Sequence, residues 1–270
     1  MTRRPRVMGV VNVTPDSFSD GGAFLQADAA VAHACRLVEQ GADVLDLGAE
    51  STRPGAEPVP AEQELARLLP VIEGVRARTD APISVDTMKP EVMRAAAAAG
   101  ATVWNDVYGL RAPGALEAAA QLGCEVVLMH MQGEPRTMQD APEYDDVVAE
   151  VRDFLRVRAE AAMAAGVARD RISLDPGIGF GKTLAHNLAL LRVLPGLAEL
   201  GFPLVLGVSR KRSIAAIDPT ATDPQDRLGG SLAFALWCAD HGADVIRVHD
   251  VRETVQALQV RAALRGDHDA

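Results

Sequence analysis

The sequence predicts a single (β/α)8 barrel spanning residues 1–270. Eight short, β-rich apolar runs alternate with helix-compatible stretches. Five of those runs follow a glycine that closes the preceding helix. No long Pro/Ser-rich linker or charge run divides the chain. Strict alternation of this kind is the pattern of a closed parallel barrel of the TIM type. An open doubly wound sheet has the same element order, and order alone does not prove closure.

The run VMGVV (7–11) is strand one. After the polar stretch NVTPDSFSDGG (12–22) comes a helical segment, AAVAHACRLVEQ (29–40), and EQGADVLDLG (39–48) turns through Gly41 into strand two. Glycine at such a point takes the left-handed conformation that ends a helix. A helix over 61–77 leads to strand three, PISVD (82–86), and a helix over 91–99 leads through Gly100 to strand four in AAGATVWNDV (98–107). The weakest helix, 112–123, passes through Gly123 to strand five in QLGCEVVLMH (121–130). A long amphipathic helix over 144–166 precedes strand six, RISLD (171–175). A helix over 186–200 leads to strand seven in ELGFPLVLGVS (199–209), a helix over 231–240 to strand eight in DHGADVIRVHD (240–250), and a final helix covers 251–264. Continuous apolar runs of this length suit parallel strands buried on both faces.

Composition narrows the function. With 27 basic and 37 acidic residues the net charge is −10, the wrong balance for a general nucleic-acid or membrane-surface binder. The basic opening MTRRPR is followed by an apolar run too short for a signal peptide or a membrane span. The scattered Cys35, Cys124 and Cys238 lack CxxC spacing and read as structural thiols in a reducing cytoplasm. The six histidines offer no zinc spacing. DPGIGFGKT (175–183) mimics a phosphate loop, but the required glycine position is Pro176.

A barrel places its chemistry where strands end. There the sequence has Asn12, Asp46 with Glu50 to Arg53, Asp86, Asn105-Asp106, His130, Asp175, Ser209 to Lys211, and Arg247 with His249. Polar strand ends can simply meet water, yet Asp86 and Asp175 close apolar runs, where an unpaired carboxylate is costly. Asp86, Asn105 and Asp175 suit a flat heterocycle with N–H groups, such as a guanine-like edge. Arg53, Lys211, Arg247 and His249 form a local positive cluster suited to phosphate or diphosphate. Taken singly, Arg53 reads equally as a surface ion pair, His249 as a core histidine and Lys211 as a solvated lysine. Asn12 could support Mg²⁺ through one oxygen, with water and phosphate supplying the rest.

The blocks MGVVNVTPDSFSDGG (8–22), ESTRPGA (50–56), SVDT (84–87), NDVYG (105–109), LMHMQGEPRTMQ (128–139), LDPGIGFGKT (174–183), GVSRK (207–211) and RVHDV (247–251) resemble the dihydropteroate synthases. The blocks occur in order over nearly the whole chain. The resemblance implies condensation of dihydropterin-6-ylmethyl diphosphate with 4-aminobenzoate, by an Mg²⁺-assisted, SN1-like displacement. It implies a pterin site of Asp86, Asn105, Asp175 and Lys211, and a diphosphate site of Asn12, Thr52, Arg247 and His249, with Asn12 on Mg²⁺. It places Phe18, Arg53, Pro54, Phe180 and Lys211 about 4-aminobenzoate, and catalytic weight on Asp86, Lys211 and Arg247. Partners are these small molecules and a second copy in a homodimer; neither nucleic acid nor membrane is expected. NVTPDSFSDGG becomes a lid over the substrates. Ala49 stands where relatives often have Gly, and Arg212 where they often have Ser; the role of that Ser is not carried to Arg212. Rival readings are a pterin-dependent methyltransferase, which needs no diphosphate clamp, and a barrel that only binds pterin.

Overall fold

The computed structural model describes residues 4–13, 23–52 and 55–266. Strands β1 (Arg6–Asn12), β2 (Val44–Gly48), β3 (Ile83–Asp86), β4 (Val103–Asp106), β5 (Glu125–Met129), β6 (Ile172–Asp175), β7 (Val205–Gly207) and β8 (Val245–Val248) form one parallel sheet. The helices are α1 (Ala23–Glu39), α2 (Ala61–Arg76), α3 (Pro90–Ala98), α4 (Ala115–Leu122), α5 (Val147–Ala164), α6 (Leu184–Arg192), α7 (Leu194–Ala198), α8 (Arg212–Ile217), α9 (Leu228–Asp240) and α10 (Val251–Arg265).

Neighbour order runs β6-β5-β4-β3-β2-β1-β8-β7. The remaining seam is joined by a parallel bridge between Leu174 and Leu204 and by the Leu174 N–H donating to the Pro203 carbonyl at 2.8 Å. That cyclic order excludes the open doubly wound sheet, in which the strand order reverses at a switch point. The five helix-closing glycines, Gly41, Gly100, Gly123, Gly201 and Gly242, all adopt positive φ, as their positions require.

Each strand sends alternate side chains to opposite faces. The outward set, including Leu45, Val85, Trp104, Leu128, Leu174 and Ile246, packs under the helices in the main core. Helix α5 contributes Val147, Val151, Leu155, Ala159 and Ala162, an apolar stripe at near-helical spacing. The inward set begins as an apolar plug of Met8, Val44, Val103, Val127, Val205 and Val245.

Three helical details differ from the sequence reading. The span 186–200 breaks at Val193, because Pro195 lacks an N–H and clashes with a continuing helical turn. Helix α8 is six residues long, too short to show a period. Helix α1 begins at Ala23, ahead of the apolar spacing that marked residue 29. Among the described residues no helix is long and apolar enough to cross a membrane.

Candidate active site

Two residues further along the strands from the apolar plug, the inward positions of β2, β4 and β8 turn polar, as Asp46, Asn105 and Arg247. In register, Asp86 lies beside Asn105, Met129 beside Asp175, and Gly207 beside Arg247. Gly207 has no neighbour within 4 Å of where a Cβ would stand, so β7 leaves open space opposite these groups. The result is a small cavity lined by Asp86, Asn105, Asp175, Phe180, Lys211 and Arg247, among others. It opens into a wider cleft that reaches Asn12 and Thr52 on one side and His249 on the other.

Charge in the cavity is knitted around Arg247. Its Nε donates to Asp46 Oδ2 at 2.6 Å and its Nη2 to Asp86 Oδ2 at 3.0 Å. Burial lifts the Asp86 carboxyl to about 7; Arg247 draws it down, while Asp46 and Asp106 push it further up. The second oxygen of Asp86 is buried and has no hydrogen-bond partner among the described residues. A buried carboxylate oxygen left in that state calls for an N–H donor. Asp175 is also raised by burial, and its Oδ1 accepts from the Gly177 N–H at 2.7 Å.

The Lys211 ammonium lies 4.3 Å from the centre of the Phe180 ring, a cation–π contact that places an aromatic wall beside the cavity. Burial, with repulsion from Arg247, brings Lys211 down to about 8, against the pull of Asp175 and Asp86. His249 is held through its Nδ1 and backbone N–H by the Ser209 hydroxyl, at 3.1 and 3.2 Å. Burial and the charges of Arg247 and Arg210 lower His249 to about 3. The sequence reading counted His249 in a positive cluster. Its lowered pKa favours the neutral imidazole instead, first because it is buried and then because two guanidiniums lie nearby.

The pterin binding enzyme family matches residues 8–249. Dihydropteroate synthase of Escherichia coli (strain K12) is 51% identical over 256 residues, covering 95% of this chain and 90% of that protein. The solved structure of Xanthomonas albilineans dihydropteroate synthase with 4-aminobenzoic acid is similar at a TM-score of 0.92 and 58% identity, covering 97% of this chain and 93% of that one. The same organism's enzyme in complex with 7,8-dihydropteroate gives 0.88 and 54%, over 98% and 95%. The chain belongs to the dihydropteroate synthase family. It is a transferase.

For a dihydropteroate synthase read from its sequence, the rim needs three adjustments. Asp106 follows the inward Asn105 and therefore points outward; its two oxygens accept the Tyr108 and Leu110 N–H groups at 2.8 and 2.7 Å and shape the loop after β4. His130 follows the inward Met129 and likewise leaves the cavity. It packs edge-on against Phe154, its ring held near 3 by burial and by Lys182. Lys182, 3% exposed, sits 2.9 Å from His130 Nδ1 and donates to the Gly177 and Phe180 carbonyls at 3.0 Å. The lysine of the GKT run thus ties down the loop after β6. Asp46 is the residue whose part the sequence reading missed; the signal was an acid two residues after Val44 and two before Gly48, on the inward face. Phe18, Arg53, Pro54 and the lid assignment from residue 14 to 22 lie outside the described residues.

Proposed function

We propose that the protein condenses (7,8-dihydropterin-6-yl)methyl diphosphate with 4-aminobenzoate, giving 7,8-dihydropteroate and diphosphate in folate biosynthesis. The observation that carries the reading is the unpartnered, buried Asp86 oxygen in a cavity that Arg247 links to a wider cleft. The ring N–H groups sit on Asp86, Asp175 and the Asn105 carbonyl oxygen, with Lys211 alongside. The diphosphate lies toward Arg247, His249, Thr52 and Asn12. The arylamine acid enters past Phe180 and Lys211, with Phe18, Arg53 and Pro54 completing its pocket.

The methylene C–O bond breaks with its electron pair leaving on diphosphate, whose growing charge meets Arg247 and the His249 N–H. The methylene cation is delocalised into the ring and faces the Asp86 and Asp175 carboxylates. The weakly basic aryl nitrogen then forms the new C–N bond and loses its proton to the departed diphosphate, so the protein's work is orientation and exclusion of water. Among the described residues no group of three His, Cys, Asp or Glu is placed to hold a metal. That donor set fits Mg²⁺ carried by diphosphate, with the Asn12 amide oxygen as a single protein ligand. Bound Mg²⁺ would neutralise the leaving group.

The test combines purified protein, both substrates and Mg²⁺, and follows diphosphate against dihydropteroate. Equal release of both, abolished by chelation, is expected; methyl transfer without diphosphate would replace this reading. The sequence reading gave Arg247 to the diphosphate alone. Its bonds to Asp46 and Asp86 change that expectation. Truncating one partner of a buried pair costs about 2–5 kcal/mol, so Arg247→Ala should remove the diphosphate's contribution to binding and also weaken a free pterin, by calorimetry. Undiminished affinity for the free pterin would show that the pairing is unimportant.

A homodimer through the late helices belongs to the same proposal, supported by exposed Ile217, Trp237, Val260 and Leu264 on α8, α9 and α10. A cytoplasmic setting is supported by the free thiols of Cys35, Cys124 and Cys238.

A further inference from the structure

Asp46 has 0% exposure, projects inward from β2 and lies in register between Val10 of β1 and Ser84 of β3. Its hydrogen-bond partners come from two other strands, and both line the cavity. Arg247 Nε donates to Oδ2 at 2.6 Å, and Asn105 Nδ2 stands 3.4 and 3.3 Å from Oδ1 and Oδ2. A fully buried carboxylate is an expensive way to hold strands together, since an apolar residue of similar size often serves stability as well or better. Its placement makes sense through what it does to its partners.

An ionised carboxylate has only acceptors. The Asn105 amide can therefore face Asp46 only with its NH2, and this leaves the carbonyl oxygen of Asn105 for the cavity. The same carboxylate takes the Nε edge of Arg247, which fixes the plane of the guanidinium and directs its two terminal nitrogens toward Asp86 and the cleft. We propose that Asp46 is a positioning residue that sets the polarity of the ring pocket: by holding the Asn105 NH2 and the Arg247 Nε edge it leaves the Asn105 carbonyl oxygen, beside the free Asp86 oxygen, facing the ligand as acceptors, and so favours rings that present N–H donors. This inference rests on the proposed pterin site and deepens it.

The pH dependence of pterin binding separates this role from a merely structural one. Asp86 accepts with charge through both oxygens only when ionised, and the charged groups around it are Arg247 on β8, Asp46 on β2, Asp106 on β4, Glu64 on α2 and Lys211 after β7. Removing the Asp46 charge takes away a repulsion and leaves Arg247 wholly to Asp86, so the midpoint for Asp86 ionisation should fall.

The experiment measures calorimetric affinity for a free oxidised pterin from pH 5 to 9 in wild type, Asp46→Asn, and Asp46→Asn combined with Asn105→Asp. The double variant exchanges the amide and the carboxylate. It keeps the pocket's charge and again turns a carboxylate oxygen to the ring. Asp46→Asn is expected to weaken binding about 10–100-fold, as for loss of a charge-assisted hydrogen bond, and to move the midpoint down. The double variant is expected to recover at least about fivefold of that loss. Wild-type affinity in Asp46→Asn, a loss with an unmoved midpoint, or no recovery in the double variant overturns the proposal. If Asp46→Asn does not fold, the double variant decides alone: a folded protein that binds pterin supports the proposal, and one that does not refutes it. The binding readout needs no turnover. A wild type that binds pterin but releases no diphosphate would count against the proposed reaction and leave this inference standing.

Discussion

Asp86→Asn should lower kcat/KM by roughly 10²–10³-fold and, in the same protein, raise the melting temperature above pH 7. The loss follows from replacing two carboxylate oxygens, one on Arg247 and one without a partner, by an uncharged amide that accepts through one oxygen and puts an NH2 donor in place of the other. The gain follows from linkage. Asp86 in the folded protein titrates near 7, whereas an unfolded aspartate titrates near 3.9. Between those values the folded state holds a proton that the unfolded state has lost, so stability falls as pH rises through the window. Above pH 7 the whole penalty is present. An asparagine never ionises and carries none of it. The variant should therefore match wild type near pH 4 and exceed it at pH 8, read by thermal melts across that range. Wild-type pterin affinity should rise over pH 5–8 while the variant's stays flat. A variant no more stable than wild type at pH 8 would mean that Arg247 already compensates the Asp86 charge in full.

Gly177→Ala should cost about 2–4 kcal/mol, a fall of roughly 10 °C in melting temperature, and should disturb the pterin site with it. Gly177 has φ +67°, which an alanine adopts at a cost of about 1 kcal/mol, and its Cβ would stand 1.9 Å from the His130 carbonyl oxygen. Neither that oxygen nor the turn is free to give way. The Gly177 N–H holds Asp175 Oδ1, and its carbonyl receives the Lys182 ammonium that also meets His130. Pushing the turn outward therefore drags Asp175 from the cavity. Gly114→Ala is the control. Its φ is also positive, at +77°, but nothing lies within 4 Å of a Cβ there. That variant should lose only about 1 kcal/mol and keep normal pterin affinity. Equal losses in the two variants would place the whole effect in φ and none in the contact with His130.

The barrel was readable because its signals are local. A buried parallel strand needs an apolar run, and a helix that returns beside it ends well at glycine; both leave marks within ten residues or so. Features set by fewer residues left no such mark. Helix α8 is shorter than two helical turns, and the break at Val193 depends on one proline inside an otherwise convincing helix.

Much of the site was equally readable, since Asn12, Thr52, Asp86, Asn105, Asp175, Phe180, Lys211, Arg247 and His249 all reach the cavity or the cleft beside it. Counting polar strand ends without counting faces put Asp106 and His130, one position out of phase with the inward set, beside Asp46, which is in phase, and gave none of the three a part in the site. The two-residue period of a strand was enough to sort them.

By itself the sequence determined the strands, the order in which they follow one another, and the chemical types gathered at their ends. Closure between Leu174 and Leu204, the protonation of His249 and Asp86, and the bond of Arg247 to an acid 201 residues away were decided by tertiary structure alone. The reason is physical: strand formation depends on neighbours along the chain, whereas the cost of a charge depends on burial and on opposing charges that only folding brings within a few ångströms.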